Sequence, residues 1–217
     1  MLGTTVLFIV FITYLYIGSD QNSRIIILRS IAAVLLISEV IKLIVMKFTG
    51  VPVLENLPLE VCSLAGYSII IDSIFPGETI MTELLFMPAA VMALIFPTTS
   101  ILPVFNFYTI QQFLYHALII AYVIARYAAG EFSFSYSGLW RSILIIFILM
   151  LIIYAIDTRF KVNFFFLKDT YGNPMLELIW RYGKGGIGYV AGLVCFSITM
   201  LHIFFLIFMI AEKIMKR

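Results

Sequence analysis

The chain has 217 residues, of which 63% are hydrophobic and only 12% charged, and its mean hydropathy is +1.09. So little polar surface cannot coat a water-soluble globule of this length, which makes the chain an integral membrane protein. A formal net charge of +2 with scattered cations gives no basic stripe to neutralise many phosphates, and this argues against a nucleic-acid partner.

A bilayer core of about 30 Å needs about 20 mostly apolar helical residues, and about seven segments qualify. They are expected at 2–17, 25–46, 58–75, 80–96, 105–127, 139–156 and 187–211. Because backbone polar groups must be satisfied internally in lipid, the expected fold is all-α: a polytopic membrane helical bundle in a single domain covering residues 1–217. The first run lacks a basic n-region and a small-residue cleavage site, so it is taken as a retained span. Gly18 to Ser23 forms a polar turn. Pro58 is a good first helical position, and the third span is expected to close near Phe75-Pro76-Gly77. Pro97, Thr98, Thr99, Ser100 and Pro103 separate the fourth span from the fifth, and a longer polar connection, Asp157 to Gly186, precedes the last. Gly188 and Gly192 make a GxxxG step that marks either a helix contact or a loosened helix start beside Gly183, Gly185 and Gly186. Trp180, Tyr182 and Tyr189 suit an interfacial aromatic belt. Lysines and arginines divide evenly between the two sides of this plan, so orientation stays open, although Lys213, Lys216 and Arg217 favour a cytoplasmic tail. A multi-pass protein of the cell membrane is expected.

Ionisable side chains inside spans are costly, which makes them functional candidates. The leading pair is Cys62 at the start of the third span and His116 in the middle of the fifth. A thiolate attacks acyl carbon, and an imidazole can take its proton and return it to a leaving alcohol. Gln112 lies one turn before His116 and Tyr108 one turn before that, a polar stripe able to fix the imidazole tautomer or cradle an oxyanion. The structural alternative is a small buried Cys62 and an interhelical hydrogen bond at His116. With helices starting at 58 and 105, Cys62 lies about 6 Å and His116 about 16 Å below their starts, so a meeting requires offset or tilt. A rival set, Cys195, Thr199 and His202, shares one face of the last span; only Thr199 and His202 are close enough to bond. Glu39 and Lys42 are spaced to form a self-neutralised pair near an interface. Asp72 and Glu83 are expected to reach the interface. Gly183-Lys184-Gly185-Gly186 lacks the Walker spacing; with Arg181 it forms either a lipid-phosphate nest or a hinge. Cys62 and Cys195 sit in spans with no zinc spacing and no sign of a disulfide, and neither a metal nor an organic cofactor is called for.

Four short patterns in order carry a resemblance: Leu57-Pro58-Leu59-x-x-Cys62, Ala93-Leu94-x-x-Pro97, Pro103…Phe105…Phe113-x-x-His116, and Asn163-Phe164-Phe165-Phe166-Leu167 followed by Pro174. The stretch from Leu57 to Tyr189 resembles the YwaF-like integral membrane proteins, a family that includes the animal transmembrane acyltransferase making polyunsaturated ether phospholipids. The resemblance implies a Cys/His acyl-transfer centre at Cys62 and His116. One departure is Glu60, where the family commonly has a histidine; an ionised carboxylate there opposes thiolate formation, or orients His116 if close to it.

The expected activity is that of an acyltransferase or acyl hydrolase acting on a membrane phospholipid or other acyl lipid. Cys62 is the nucleophile, His116 the base and then the acid, Gln112 an orienting or oxyanion group, and Glu60 and Tyr108 supporting groups. Asn163, Arg181 and Lys184 form a lipid-binding rim. Two non-enzymatic alternatives are a small transporter or lipid-binding scaffold, and a membrane subunit that pairs, with itself or a partner, through the GxxxG face.

Overall fold

The computed structural model describes residues 1–75, 80–99 and 102–215, without the side chains of 80–84 and 215. Glu83 and the terminal Lys216 and Arg217 therefore lie outside the described side chains, as do Pro76, Gly77 and Ser100. The described residues form eight α-helices and two short 3₁₀ turns, with no strand. The helices are α1 Leu2–Ile17, α2 Gln21–Thr49, α3 Val61–Ile74, α4 Ile80–Ile95, α5 Phe107–Ala128, α6 Tyr136–Phe160, α7 Pro174–Gly183 and α8 Gly186–Met215.

Among these, α5, α6 and α8 are long and apolar enough to cross a membrane, while α1, α3 and Leu85–Ile95 of α4 are shorter apolar helices. Large apolar side chains stand exposed along the outer faces of α1 (Leu7, Val10, Phe11), α6 (Leu144, Leu151, Ile152) and α8 (Leu206, Ile207, Ile210). Water would penalise such surfaces by about 25 cal/mol per Å², whereas lipid tails do not. The chain is a membrane protein.

Two compact units divide the chain, Met1–Ser133 and Phe134–Arg217. In the first, α5 is the central post: every residue from Tyr115 to Val123 is buried. Helices α3 and α5 run in the same direction, because Tyr115 packs on Gly66 and Tyr122 bonds Asp72 further along. Helix α2 runs opposite to α3, with Glu39 bonded to Ser63 and Arg29 reaching the Ser73 carbonyl at 3.4 Å. At the far end of the post, Asp72, Tyr122 and Arg126 form a buried cluster that continues through Glu131 to Tyr16 and Arg24. Asp72, expected at the interface, is instead 2% exposed. The α5 cation that pairs with it is what permits its burial.

Helix α3 starts later than expected. Pro58 holds Leu57 extended, at φ −54° and ψ 149°. The Leu59 N–H then folds back on the Leu57 carbonyl at 2.7 Å, so the first helical bond is Leu64 N–H to Glu60 O, 3.0 Å. Pro58 therefore lies outside the helix, Glu60 is its N-cap and Cys62 its second residue.

In the second unit the stretch expected to be a polar connection contains more structure. Helix α6 continues to Phe160, Asp157 is fully buried, and α7 forms a hairpin with α8. Asn173 caps α7 by accepting from the Met175 and Leu176 N–H groups, and Pro174 opens it. The hairpin closes through glycine: a Cβ on Gly183 would meet the Gly188 carbonyl carbon at 2.7 Å, and one on Gly192 would meet Ile179 Cγ2 at 2.6 Å. The GxxxG step is thus a helix contact, and α7 of the same chain covers it. Tyr189, placed in an interfacial belt by sequence, is fully buried and donates to the Phe166 carbonyl at 2.8 Å. The hairpin requires glycine at 188, since any larger residue strikes the Gly183 carbonyl. Gly188→Val is expected to destabilise the purified protein by about 1–3 kcal/mol in a thermal-unfolding assay. Gly3→Val, whose Cβ meets nothing within 4 Å, is the neutral control.

Candidate functional site

The N-terminus of α3 presents Cys62, half-buried and unpaired with any other cysteine. A thiolate on the second helical residue lies where unsatisfied N–H groups make the helix end positive. The charges bearing on it are those of Glu60, Glu39 and Lys42. Glu39 on α2 is 4% exposed, forms an ion pair with Lys42, and accepts from the Ser63 hydroxyl at 3.2 Å. The expected Glu39–Lys42 pair is present, but it is embedded between α2 and α3, beside the cysteine.

Helix α5 begins where Asn106 accepts from the Tyr108 N–H at 2.9 Å. The Tyr108 hydroxyl lies 3.0 Å from Thr49 Oγ1, and Gln111 Nε2 donates to Ser38 Oγ at 3.1 Å, so this end is fastened to α2. Gln112 turns the other way. Its amide nitrogen donates to the Ala93 carbonyl of α4 at 3.3 Å, and its oxygen accepts from Thr98 at 3.4 Å. The side chain expected to orient His116 is thus tied to α4 and the residues after it.

His116 itself is buried, with Nδ1 2.6 Å from the Gln112 carbonyl. A carbonyl only accepts, so Nδ1 carries the proton and Nε2 presents a lone pair, the form of imidazole that serves as a base. The tautomer is fixed by the Gln112 backbone carbonyl, whereas the side-chain stripe expected to fix it is engaged elsewhere. Among the described residues no hydrogen bond joins Cys62 to His116. Lys42 acts electrostatically on both. Taking Gly66 level with Tyr115, Cys62 and His116 are offset by about 7–8 Å along the helix axes.

An apolar cleft of about 550 Å³ lies between α1, α4 and α5. Ile9, Met87, Leu94, Ile120 and Ile124 are among its lining residues. Ile120 is one turn beyond His116 and Leu94 follows Ala93, so the cleft runs along the face of α5 that carries the imidazole.

In the second unit Asn163 is 9% exposed, and its own loop uses its amide: Nδ2 donates to Asp169 O at 2.9 Å, and Oδ1 accepts from Lys168 N at 2.7 Å. Arg181 is on the last turn of α7, and Lys184, at φ 55°, is its left-handed cap. The rival set does not assemble. His202 Nδ1 bonds the Ile198 carbonyl at 2.8 Å, Thr199 donates to the Cys195 carbonyl at 2.8 Å, and Cys195 is exposed.

Sequence reasoning missed Tyr115 and Gly66. A tyrosine in an apolar run and a glycine mid-helix look like core and looseness. Their shared signal is positional, since Gly66 lies one turn beyond Cys62 and Tyr115 precedes His116.

Because Glu39 and Lys42 are only 6% and 16% exposed as side chains, removing one strands the other. Glu39→Leu or Lys42→Leu is expected to cost about 3–5 kcal/mol each in chemical unfolding of the detergent-solubilised protein, and the double variant much less than the sum. Additive losses would show that the two side chains act independently.

The TMEM164 family model matches residues 1–211, nearly the whole chain. No curated protein and no solved structure matches the chain.

Proposed function

The chain belongs to the TMEM164 family, and from that premise we propose that it moves or removes a fatty acyl chain on a membrane lipid through Cys62 and His116. The observation that supports this most directly is the buried imidazole of His116, whose Nδ1–H is committed to the Gln112 carbonyl so that Nε2 is held ready as a base. The likeness of the Leu57–Cys62 and Phe113–His116 stretches to YwaF-like proteins adds to it. In this reading α1 to α6 and α8 all cross the cell membrane, making seven passages, with the bilayer thinning around the short helices. The donor lipid enters sideways, and its acyl chain lies in the apolar cleft along α5.

The thiol proton passes to His116 Nε2 through a bridging water that spans the axial offset, and the thiolate sulfur attacks the ester carbonyl carbon. As the C–S bond forms and the C–O bond breaks, Nε2–H returns the proton to the leaving alcohol oxygen. An acceptor hydroxyl, or water, then gives its proton to Nε2 and attacks the thioester; the C–S bond breaks and the proton returns to sulfur. The axial offset between thiol and imidazole leaves space for the carbonyl and its leaving oxygen. Burial of the thiol, Glu60 and Glu39 act against the thiolate, while Lys42 and the positive helix end act for it.

The test is acyl transfer from labelled phosphatidylcholine to a lysophospholipid in vesicles carrying the purified protein. Cys62→Ala is expected to reduce turnover by at least about 10³-fold and His116→Gln by about 10²–10⁴-fold. Turnover that survives Cys62→Ala would remove the covalent route.

A further inference from the structure

We propose that the Tyr115 hydroxyl is the hydrogen-bond donor to the oxyanion that forms when Cys62 attacks an acyl carbonyl. This rests on the acyl-transfer reading and assigns that site a residue which neither sequence pattern nor family likeness supplied.

Tyr115 is 5% exposed, yet among the described residues its hydroxyl makes no hydrogen bond. Most other polar groups along this part of α5 are engaged: Tyr108 with Thr49, Gln111 with Ser38, Gln112 with Ala93 and Thr98, and His116 Nδ1 with a backbone carbonyl. Two hydroxyls in the row make no hydrogen bond among the described residues, Thr109 and Tyr115, and of these it is Tyr115 that lies against α3.

Its position is set by Gly66. A Cβ on Gly66 would collide with the Tyr115 oxygen and lie 3.1 Å from its Cζ, so the absent side chain is what lets the phenol lie against the α3 backbone. Gly66 is one turn beyond Cys62 on the same face of α3, and Cβ positions so spaced are about 5–6 Å apart. The hydroxyl therefore stands roughly 5–6 Å from the Cys62 Cβ, which leaves room for a carbonyl bonded to sulfur whose oxygen accepts a hydrogen bond of about 2.7–3.1 Å. Cys62 and Glu39 are the groups whose charges bear most on this hydroxyl. Gln112, the oxyanion candidate by sequence, spends its amide on α4.

The Cys62 thiolate forms the C–S bond, and the carbonyl π electrons move onto oxygen. That oxygen accepts from Tyr115 O–H, which keeps its proton throughout. When the carbonyl re-forms, the C–O bond to the alcohol breaks and His116 Nε2–H protonates the leaving oxygen.

The experiment compares the wild type, Tyr115→Phe, Gly66→Ala and Cys62→Ala, each full-length in phosphatidylcholine vesicles with a lysophospholipid acceptor. It reads kcat, KM and the thermal-unfolding midpoint. Tyr115→Phe is expected to lower kcat by about 10²–10³-fold with KM within a factor of about two, and to leave the midpoint unchanged or raised. Gly66→Ala, which pushes the phenol off α3 but keeps it, is expected to lower kcat in the same direction. Wild-type kcat in Tyr115→Phe alongside an inactive Cys62→Ala overturns this proposal and leaves the acyl-transfer reading standing. A fall in kcat matched by a lower midpoint, or a change confined to KM, also overturns it, because it marks a packing or binding role. Absence of any Cys62-dependent turnover in the wild type overturns both.

Discussion

In lipid no water reaches a buried polar group, so most are answered by another part of the protein. That constraint organises the first unit around α5. Tyr108 and Gln111 fasten to α2, Gln112 to α4, and Tyr122 and Arg126 to Asp72 on α3. Apolar contacts alone would not fix which helix stands where, because lipid tails are as apolar as leucine. The polar rungs do so: each has one acceptable partner, and a rotation of α5 would leave several unpaired at once. The glycines act alongside them. Gly66 lets α3 approach the post closely enough for Tyr115 to lie on its backbone.

The same constraint bears on the proposed site. Glu39 and Lys42 neutralise each other beside Cys62, so the thiol lies near charge without a net field of one sign from that pair. The helix N-terminus then contributes the fixed positive end, an interaction typically of about 0.3–1 kcal/mol at exposed sites and up to about 2 when partly buried. Had α3 begun at Pro58, Cys62 would sit a turn deeper and lose most of it. The extended Leu57–Glu60 segment thus does more than connect α2 to α3, since it brings the helix end to the cysteine.

The long apolar runs were legible in sequence because hydropathy and length are summed over many residues, and helix ends vary by only a turn. What was not legible depended on one residue's surroundings. Pro58 has the character of an N1 residue, and only the Leu57–Leu59 backbone turn moves the helix start to Val61. Helix α7 was hidden in a stretch whose charges, Glu177, Arg181 and Lys184, suggest a loop; its Asn-Pro start and Gly-Lys-Gly end were the available signal. Asp72 looked interfacial because Arg126, its partner, lies 54 residues away. His116 was identifiable as an expensive group in a span. Tyr115 was not, because a tyrosine's hydroxyl is conspicuous only when the surrounding donors and acceptors are seen to be used elsewhere.

The two histidines separate what is common from what is specific. His116 and His202 both bond the carbonyl four residues back, at 2.6 and 2.8 Å, so a fixed tautomer is an ordinary consequence of a histidine in a helix. The difference is in their company. His202 is on α8 with Trp140 edge-on to it, while Cys195 is exposed and Thr199 is bonded to its own helix backbone. Around His116 lie a buried ion pair, a cysteine at a helix start and an unpartnered phenol, contributed by three helices. Polar groups drawn from separate parts of a chain to one buried region cost more to assemble than a lone helix rung. The acyl-transfer proposal accounts for such an assembly on α2, α3 and α5, and among the described residues no comparable group gathers around His202 on α8.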